Sequence, residues 1–312
     1  MHPHNNKPIF IIGMPRSGTT LLTSMINASE SIYIGEETHL YEIHHLWVKE
    51  NSSIPFSTYY FDHIIFRKTT YYSTNLINNM KREYSKINDP KKLISLLCNH
   101  QANIHNVNRW GEKTPMHFLY IEQIISDFPD AKFINIVRDP RDTFKSNINA
   151  GWNINPNYFW RKYKSNISII EKYSKLGYLI NLKYEDLINS PEEELRKLSD
   201  FLDLNFSKNM IYNFTKSKYH NFSPMKEPWK SNNTKKLITT NTNKWLSNPD
   251  VPINSYLAWR LKEILIILNY KYHNSNSLLI NLYLEIKFAI KLILQHYKSS
   301  LTNSISNIFN RK

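Results

Sequence analysis

Residues 13–20, Gly-Met-Pro-Arg-Ser-Gly-Thr-Thr, set two glycines, an arginine and three hydroxyls at the spacing of a phosphate-cradling loop, G-x-x-x-x-G-K-[ST]. Thr19 stands where that loop carries lysine. At a helix N-terminus, the backbone N–H groups from Ser17 to Thr20 would still face a dianion, with the Thr19 and Thr20 hydroxyls as further donors and Gly18 inside the cradle. Arg16 brings a planar cation to the same anion; its bland alternative is a surface ion pair. A second cation, Arg138, precedes Asp139-Pro140-Arg141-Asp142-Thr143-Phe144-Lys145-Ser146. A guanidinium at a strand end and the Ser146 hydroxyl in the next helix could converge on one phosphate, or the segment could be an Arg–Asp network around Asp139, Arg141 and Asp142. Glu37 could accept a proton or simply stabilise a helix start. Lys113 could neutralise a departing oxygen or be an ordinary surface lysine.

These groups need a frame. The apolar run 8–12 ends at Gly13 and is followed by an apolar pattern through Ile26, which predicts strand, tight loop, helix. Ile32–Ile34, Lys132–Val137 and Tyr178–Lys183 are further strand candidates, and Lys113 falls where a strand end turns sharply. A helix is predicted over Phe118–Phe128, and another to about Leu202, opened by Ser190 as N-cap, Pro191 at the first helical position and an acid three residues on. Alternating strands and helices predict an α/β fold: a mostly parallel sheet covered by helices on both faces, with ligands at the carboxyl ends of the strands. Residues 49–108 read as a helical insertion that shapes acceptor specificity, 204–251 as a long loop over the active face, and the chain from Ser275 as a basic amphipathic helix. That last helix either packs or touches a membrane surface.

Composition narrows the classes. The 312 residues are 41% hydrophobic, enough for a substantial core and too many for a disordered chain. A single cysteine, Cys98, excludes an intrachain disulfide. The sequence holds no uninterrupted apolar run of spanning length; Leu278–Leu294 is broken by Asn281, Glu285, Lys287 and Lys291. Forty Lys+Arg against 26 Asp+Glu, a net +14, favours anionic ligands. The sequence presents no metal-ligand spacing; His39, His44 and His45 read as exposed or packed helix residues, so no metal is expected.

In combination the motifs resemble the sulfotransferases that use 3′-phosphoadenosine 5′-phosphosulfate, above all the tyrosylprotein sulfotransferases and the related bacterial branch. Pro15–Thr20, Gly35–Thr38, Lys113–Pro115 and Val137–Asp139 follow that family's wording in its order, and the resemblance runs from about residue 8 to 202 with weaker echoes to Trp245. It implies that residues 16–20 bind the donor's 5′-phosphosulfate, that Arg138 and Ser146 bind its 3′-phosphate, and that Tyr184, Lys235 and Lys244 lie against the nucleotide. It implies Glu37 as the base, with Lys113 and Arg16 neutralising the leaving group. Thr114 replaces the aspartate of the tyrosylprotein enzymes, and Ala150 an arginine common there.

The expected activity is transfer of a sulfuryl group to a hydroxyl of a peptide tyrosine, glycan, lipid or small molecule. The resemblance further implies one domain over 1–312, with a core at about 7–250, the insertion at 49–108 and C-terminal helices at 252–312. Lacking the N-terminal anchor of the Golgi enzymes, the sequence points to the cytoplasm, with membrane contact through the C-terminal helix as an alternative to packing. Two other readings stay open. A P-loop kinase or NTPase needs a magnesium-holding acid, for which Asp139 is the candidate. A non-catalytic basic protein would bind nucleic acid or membrane by charge alone, and leaves the ordered motifs unexplained.

Overall fold

The computed structural model describes residues 7–35, 37–67, 74–215 and 242–309. They fall into two compact units, 1–138 with 169–239, and 139–168 with 240–312.

The first unit is built on a five-stranded, wholly parallel sheet: β1 (Ile9–Gly13), β2 (Tyr33–Ile34), β3 (Trp110–Lys113), β4 (Lys132–Val137) and β5 (Leu179–Lys183), in the order β2-β3-β1-β4-β5. β1 is buried at all five positions, as a parallel strand covered on both faces requires. Its alternate side chains serve two cores. Ile9 and Ile11 join Ile134, Ile136 and Leu182 beneath α1 (Thr19–Asn27), whose Leu22, Met25 and Ile26 are fully buried. Phe10 stacks on Phe133 at 5.5 Å and meets Trp110 edge-on at 6.0 Å on the opposite face. A buried amide at the centre of β4 is satisfied across the ladder, since Asn135 Nδ2 donates to Asn181 Oδ1 at 2.9 Å on β5.

The segment between β2 and β3 is helical, as expected: α2 (Leu40–Lys49), α3 (Phe56–Arg67), α4 (Thr74–Glu83) and α5 (Pro90–Ile104). Asp89 caps α5, accepting from the N–H groups of Lys91 and Lys92. Tyr59, Tyr60 and Phe61 of α3 are buried and fill a core; residues 68–73 lie outside the described ones.

The expected helix over 118–128 is instead a 3₁₀ stretch, Pro115–Tyr120, followed by α6 (Ile121–Asp127). Pro115 starts this tighter turn one residue beyond β3, with Thr114 as its N-cap. In the second unit lie α7 (Pro140–Asn149) and the larger part of α8 (Pro156–Lys175), which the chain leaves at residue 168.

After β5 the first unit continues with α9 (Tyr184–Asn189), α10 (Pro191–Leu202) and the short α11 (Asn209–Tyr212). α10 has its expected bounds, but the Ser190 side chain makes no cap bond; its carbonyl accepts from Glu194 N–H at 3.1 Å.

The second unit is completed by a 3₁₀ turn at Lys244–Ser247, α12 (Pro252–Arg260), α13 (Lys262–Ile267) and the 32-residue α14 (Leu278–Phe309). Among the described residues, no helix is long and apolar enough to cross a membrane.

Candidate active site

Each strand of the sheet ends beside one candidate group. In spatial order β2-β3-β1-β4-β5, the carboxyl ends carry Glu37, Lys113, the loop with Arg16, then Arg138 and Tyr184. Three strand spacings, roughly 14 Å, separate the β2 and β4 lines. A negative ligand laid along this edge meets cations from three strands.

The loop after β1 has the conformation its glycines predict. Gly13 and Gly18 sit at φ 147° and 108°, and Arg16 at 73°. A Cβ on Gly18 would lie 2.4 Å from the Tyr184 ring, and one on Gly13 would lie 2.5 Å from the Ile136 carbonyl, so only glycine fits either place. Ser17 N–H donates to the Met14 carbonyl at 3.1 Å, which closes the turn and takes that group out of the expected donor set. The donors left to an anion are the N–H groups of the first turn of α1, which helix geometry leaves without acceptors, and the Thr19 and Thr20 hydroxyls. α1 has neither a capping side chain nor an acid in its first turn. The Ser17 hydroxyl is buried and has no hydrogen-bond partner among the described residues. A buried hydroxyl left unbonded costs about 1–3 kcal/mol, and a phosphate oxygen in the cradle would satisfy it.

Glu37 and Lys113 are brought together from 76 residues apart: Lys113 Nζ donates to Glu37 Oε1 at 2.5 Å. Lys113 is fully buried, which rules out the surface-lysine alternative, while the Glu37 side chain is 27% exposed. One end of the pair is therefore anchored and the other reaches solvent.

His39 holds the second oxygen of Glu37. It takes a left-handed conformation, φ 51°, just before α2, and its Nε2 lies 3.4 Å from Glu37 Oε2 while Nδ1 lies 3.2 Å from Glu42 Oε2. Burial disfavours the charged ring, but the two carboxylates outweigh it and hold its pKa up at about 9. His39 is thus not the ordinary helix residue that its sequence context suggests. Its ligands lie two residues before and three after it, a spacing that carries no signal of its own.

Glu112 is the second group missed from sequence. Fully buried on β3, it accepts from the N–H and hydroxyl of Thr38 at 3.1 and 3.0 Å, from Thr114 N–H at 3.1 Å and from the Thr114 hydroxyl, and His117 Nδ1 lies 2.9 Å away. Burial works to raise its pKa, yet the His117 charge and these donors win and lower it. Thr38 follows Glu37 and Thr114 follows Lys113, so the Glu112 carboxylate ties together the backbones that present the pair.

Arg138 is 8% exposed, donates from Nη1 to the Arg16 carbonyl at 3.3 Å and lies 4.8 Å over the Tyr184 ring. Tyr184 is thereby wedged between this guanidinium and Gly18.

The Arg–Asp network also exists. In the second unit Arg141 forks onto Asp139 (Nε–Oδ1 2.9 Å, Nη2–Oδ2 2.6 Å) and stacks on Trp245 at 3.4 Å, and Asp142 accepts from the N–H groups of Lys244 and Trp245. Held in this buried fork, Asp139 is engaged in structure rather than presented as a magnesium ligand, which removes the support for an NTPase. Ser146 is half-buried on α7 and Lys244 is exposed, both in the second unit; Lys235 lies outside the described residues. Among the described residues, no group of His, Cys, Asp and Glu could hold a metal ion.

The chain is 26% identical over 214 residues to a putative protein-tyrosine sulfotransferase of Caenorhabditis briggsae, covering 65% of this chain and 68% of that one. It is 25% identical over 218 residues to the protein-tyrosine sulfotransferase of Drosophila melanogaster, of which the match covers 39%. Over 108 residues, 30% of this chain and 28% of the other, it is 34% identical to the omega-hydroxy-beta-dihydromenaquinone-9 sulfotransferase of Mycobacterium bovis. In fold it is similar to the sulfotransferase domain of the curacin biosynthetic pathway, with a TM-score of 0.63 at 19% identity over 86% of this chain and 99% of that one. The sulfotransferase family profile matches residues 8–208, the stretch holding all five strands of the sheet. By that match this protein belongs to the sulfotransferase family.

Proposed function

We propose that the protein transfers a sulfuryl group from 3′-phosphoadenosine 5′-phosphosulfate to an acceptor hydroxyl, with Glu37 as the base. The observation that carries this is the Glu37–Lys113 pair, its lysine fully buried and its carboxylate side chain 27% exposed, at the ends of β2 and β3 beside a β1 loop with a buried unsatisfied hydroxyl. The donor supplies a sulfur–oxygen bond whose cleavage leaves negative charge on a phosphate oxygen. Glu37 takes the proton of the attacking hydroxyl, and protonation at Oε1 weakens its hold on Lys113. Lys113 is then able to turn its ammonium to the departing oxygen, where Arg16 and the N–H groups of α1 share the load. His39 on Oε2 fixes the carboxylate's orientation.

On this reading Arg138 takes the 3′-phosphate, with Tyr184 stacked beneath it, a guanidinium being suited to forked contact with phosphate oxygens. The assignments of Ser146, Lys235 and Lys244 rest on resemblance. The acceptor is a hydroxyl compound; the named relatives act on protein tyrosine or on a menaquinone, and the chain spans as little as 28% of one of them.

The test is a thermal-shift titration with 3′,5′-adenosine bisphosphate and adenosine 5′-phosphate, followed by transfer of radiolabelled sulfate from the donor to a panel of phenols, peptides, glycans and lipids. A shift that depends on the 3′-phosphate, with label reaching a hydroxyl, is expected. Equal shifts with both nucleotides and no transfer to any acceptor would overturn the reading.

A further inference from the structure

α14 has two faces of different kinds. One packs within its own unit: Asn281 is 1% and Leu284 9% exposed, the Glu285 carboxylate accepts from Tyr256 Oη at 2.5 Å, and Phe288 meets the Tyr256 ring at 5.3 Å. The Glu285 and Phe288 carbonyls receive Asn157 and Asn155 side chains. The other face is apolar and exposed. Leu278, Leu279, Leu282, Ile286, Ile290 and Leu294 are between 43% and 78% exposed. At 3.6 residues per turn these positions cover an arc of roughly 160°.

Width and charge decide what fits that arc. A seam for a second helix is a narrow stripe of alternating three and four spacings, bordered by charges of both signs that pair across the contact. Here the apolar arc is much wider, and Lys287 and Lys291 follow at its edge. The one acid of α14, Glu285, is turned inward onto Tyr256 and Arg260, so no carboxylate stands by to meet a partner's lysines. Two copies would oppose lysine to lysine in a protein already carrying +14. A wide apolar face with a cationic border suits the boundary between acyl chains and anionic headgroups, and the helix is not apolar enough to cross it.

We propose that α14 lies in the plane of an anionic lipid bilayer, with the Leu278–Leu294 arc buried at the acyl boundary and Lys287 and Lys291 at the headgroups. The inference stands apart from the catalytic reading, and its test needs no turnover.

Full-length protein is sedimented with phosphatidylcholine vesicles with and without phosphatidylserine, alongside an Ile286→Glu/Ile290→Glu variant and a Lys287→Glu/Lys291→Glu variant. All four positions are solvent-exposed, so circular dichroism and the thermal midpoint in the absence of lipid should match the parent protein. Binding to phosphatidylserine vesicles is expected, falling about 30-fold or more in the lysine variant, at about 1 kcal/mol per basic residue, and to background in the isoleucine variant. Wild-type protein remaining in the supernatant with anionic vesicles, or an isoleucine variant that binds undiminished, would overturn the proposal. So would a concentration-dependent dimer in sedimentation equilibrium that the isoleucine variant abolishes.

Discussion

Glu112 and Ser17 are both buried polar residues at the carboxyl edge of neighbouring strands, yet their surroundings are opposite. Around Glu112, Thr38, Thr114 and His117 saturate both carboxylate oxygens. In the loop, the Ser17 hydroxyl has no partner among the described residues and the first turn of α1 has no cap. Since burying an unbonded polar group is unfavourable, the saturated cluster reads as scaffold and the unsaturated one as a place kept for an anion. Glu37 stands between these cases, held on one oxygen by a buried lysine and on the other by His39, with its side chain 27% exposed.

The comparison can be broken most sharply at Glu37. Glu37→Gln still accepts a bond from Lys113 but cannot take a proton, so kcat should fall by ~10² to 10⁴ with bisphosphate affinity little changed. Steady-state transfer assays and calorimetric titration read the two quantities, and undiminished turnover removes Glu37 from the chemistry. Next comes the scaffold itself. Glu112→Gln should cost about 2–3 kcal/mol in urea unfolding, because an amide cannot accept from all the donors now facing the carboxylate. A neutral result would mean that the saturated cluster holds nothing in place.

Arg138→Ala should weaken 3′,5′-adenosine bisphosphate binding by about 10- to 100-fold and leave adenosine 5′-phosphate binding unaltered. Equal losses for both nucleotides would assign Arg138 to the 5′ end or to folding alone. The smallest effect, and the most direct on the comparison, belongs to Ser17→Ala. Removing a buried hydroxyl without a partner should raise the unfolding free energy of the ligand-free protein by about 1 kcal/mol, while donor affinity drops about 3- to 10-fold. Destabilisation as large as that of Glu112→Gln would erase the distinction between the two regions.

Much of this edge was legible in the chain. The β-branched run 132–137 is β4 to the residue, and the proline-led acidic segment 191–202 is α10, because each carries a local pattern of its own. β3 is different. Trp110-Gly111-Glu112-Lys113 has a glycine and two charges in four residues, and only Lys113's strand-end position hinted at it. Those charges are tolerated inside a sheet because Thr38, Thr114, His117 and Glu37 surround them, and a sequence window does not contain those partners. The same holds for His39, whose importance comes from two carboxylates that a left-handed residue happens to face.

The sequence by itself determined the loop, since Gly13 and Gly18 stand where no side chain fits, and it determined the alternation of strand and helix through periodicity. Only the tertiary structure decided that β3 enters between β2 and β1, setting Lys113 against a carboxylate 76 residues away. The physical reason is that parallel strands are joined by long crossovers, so neighbours across the sheet are chosen by how the faces pack and not by distance along the chain.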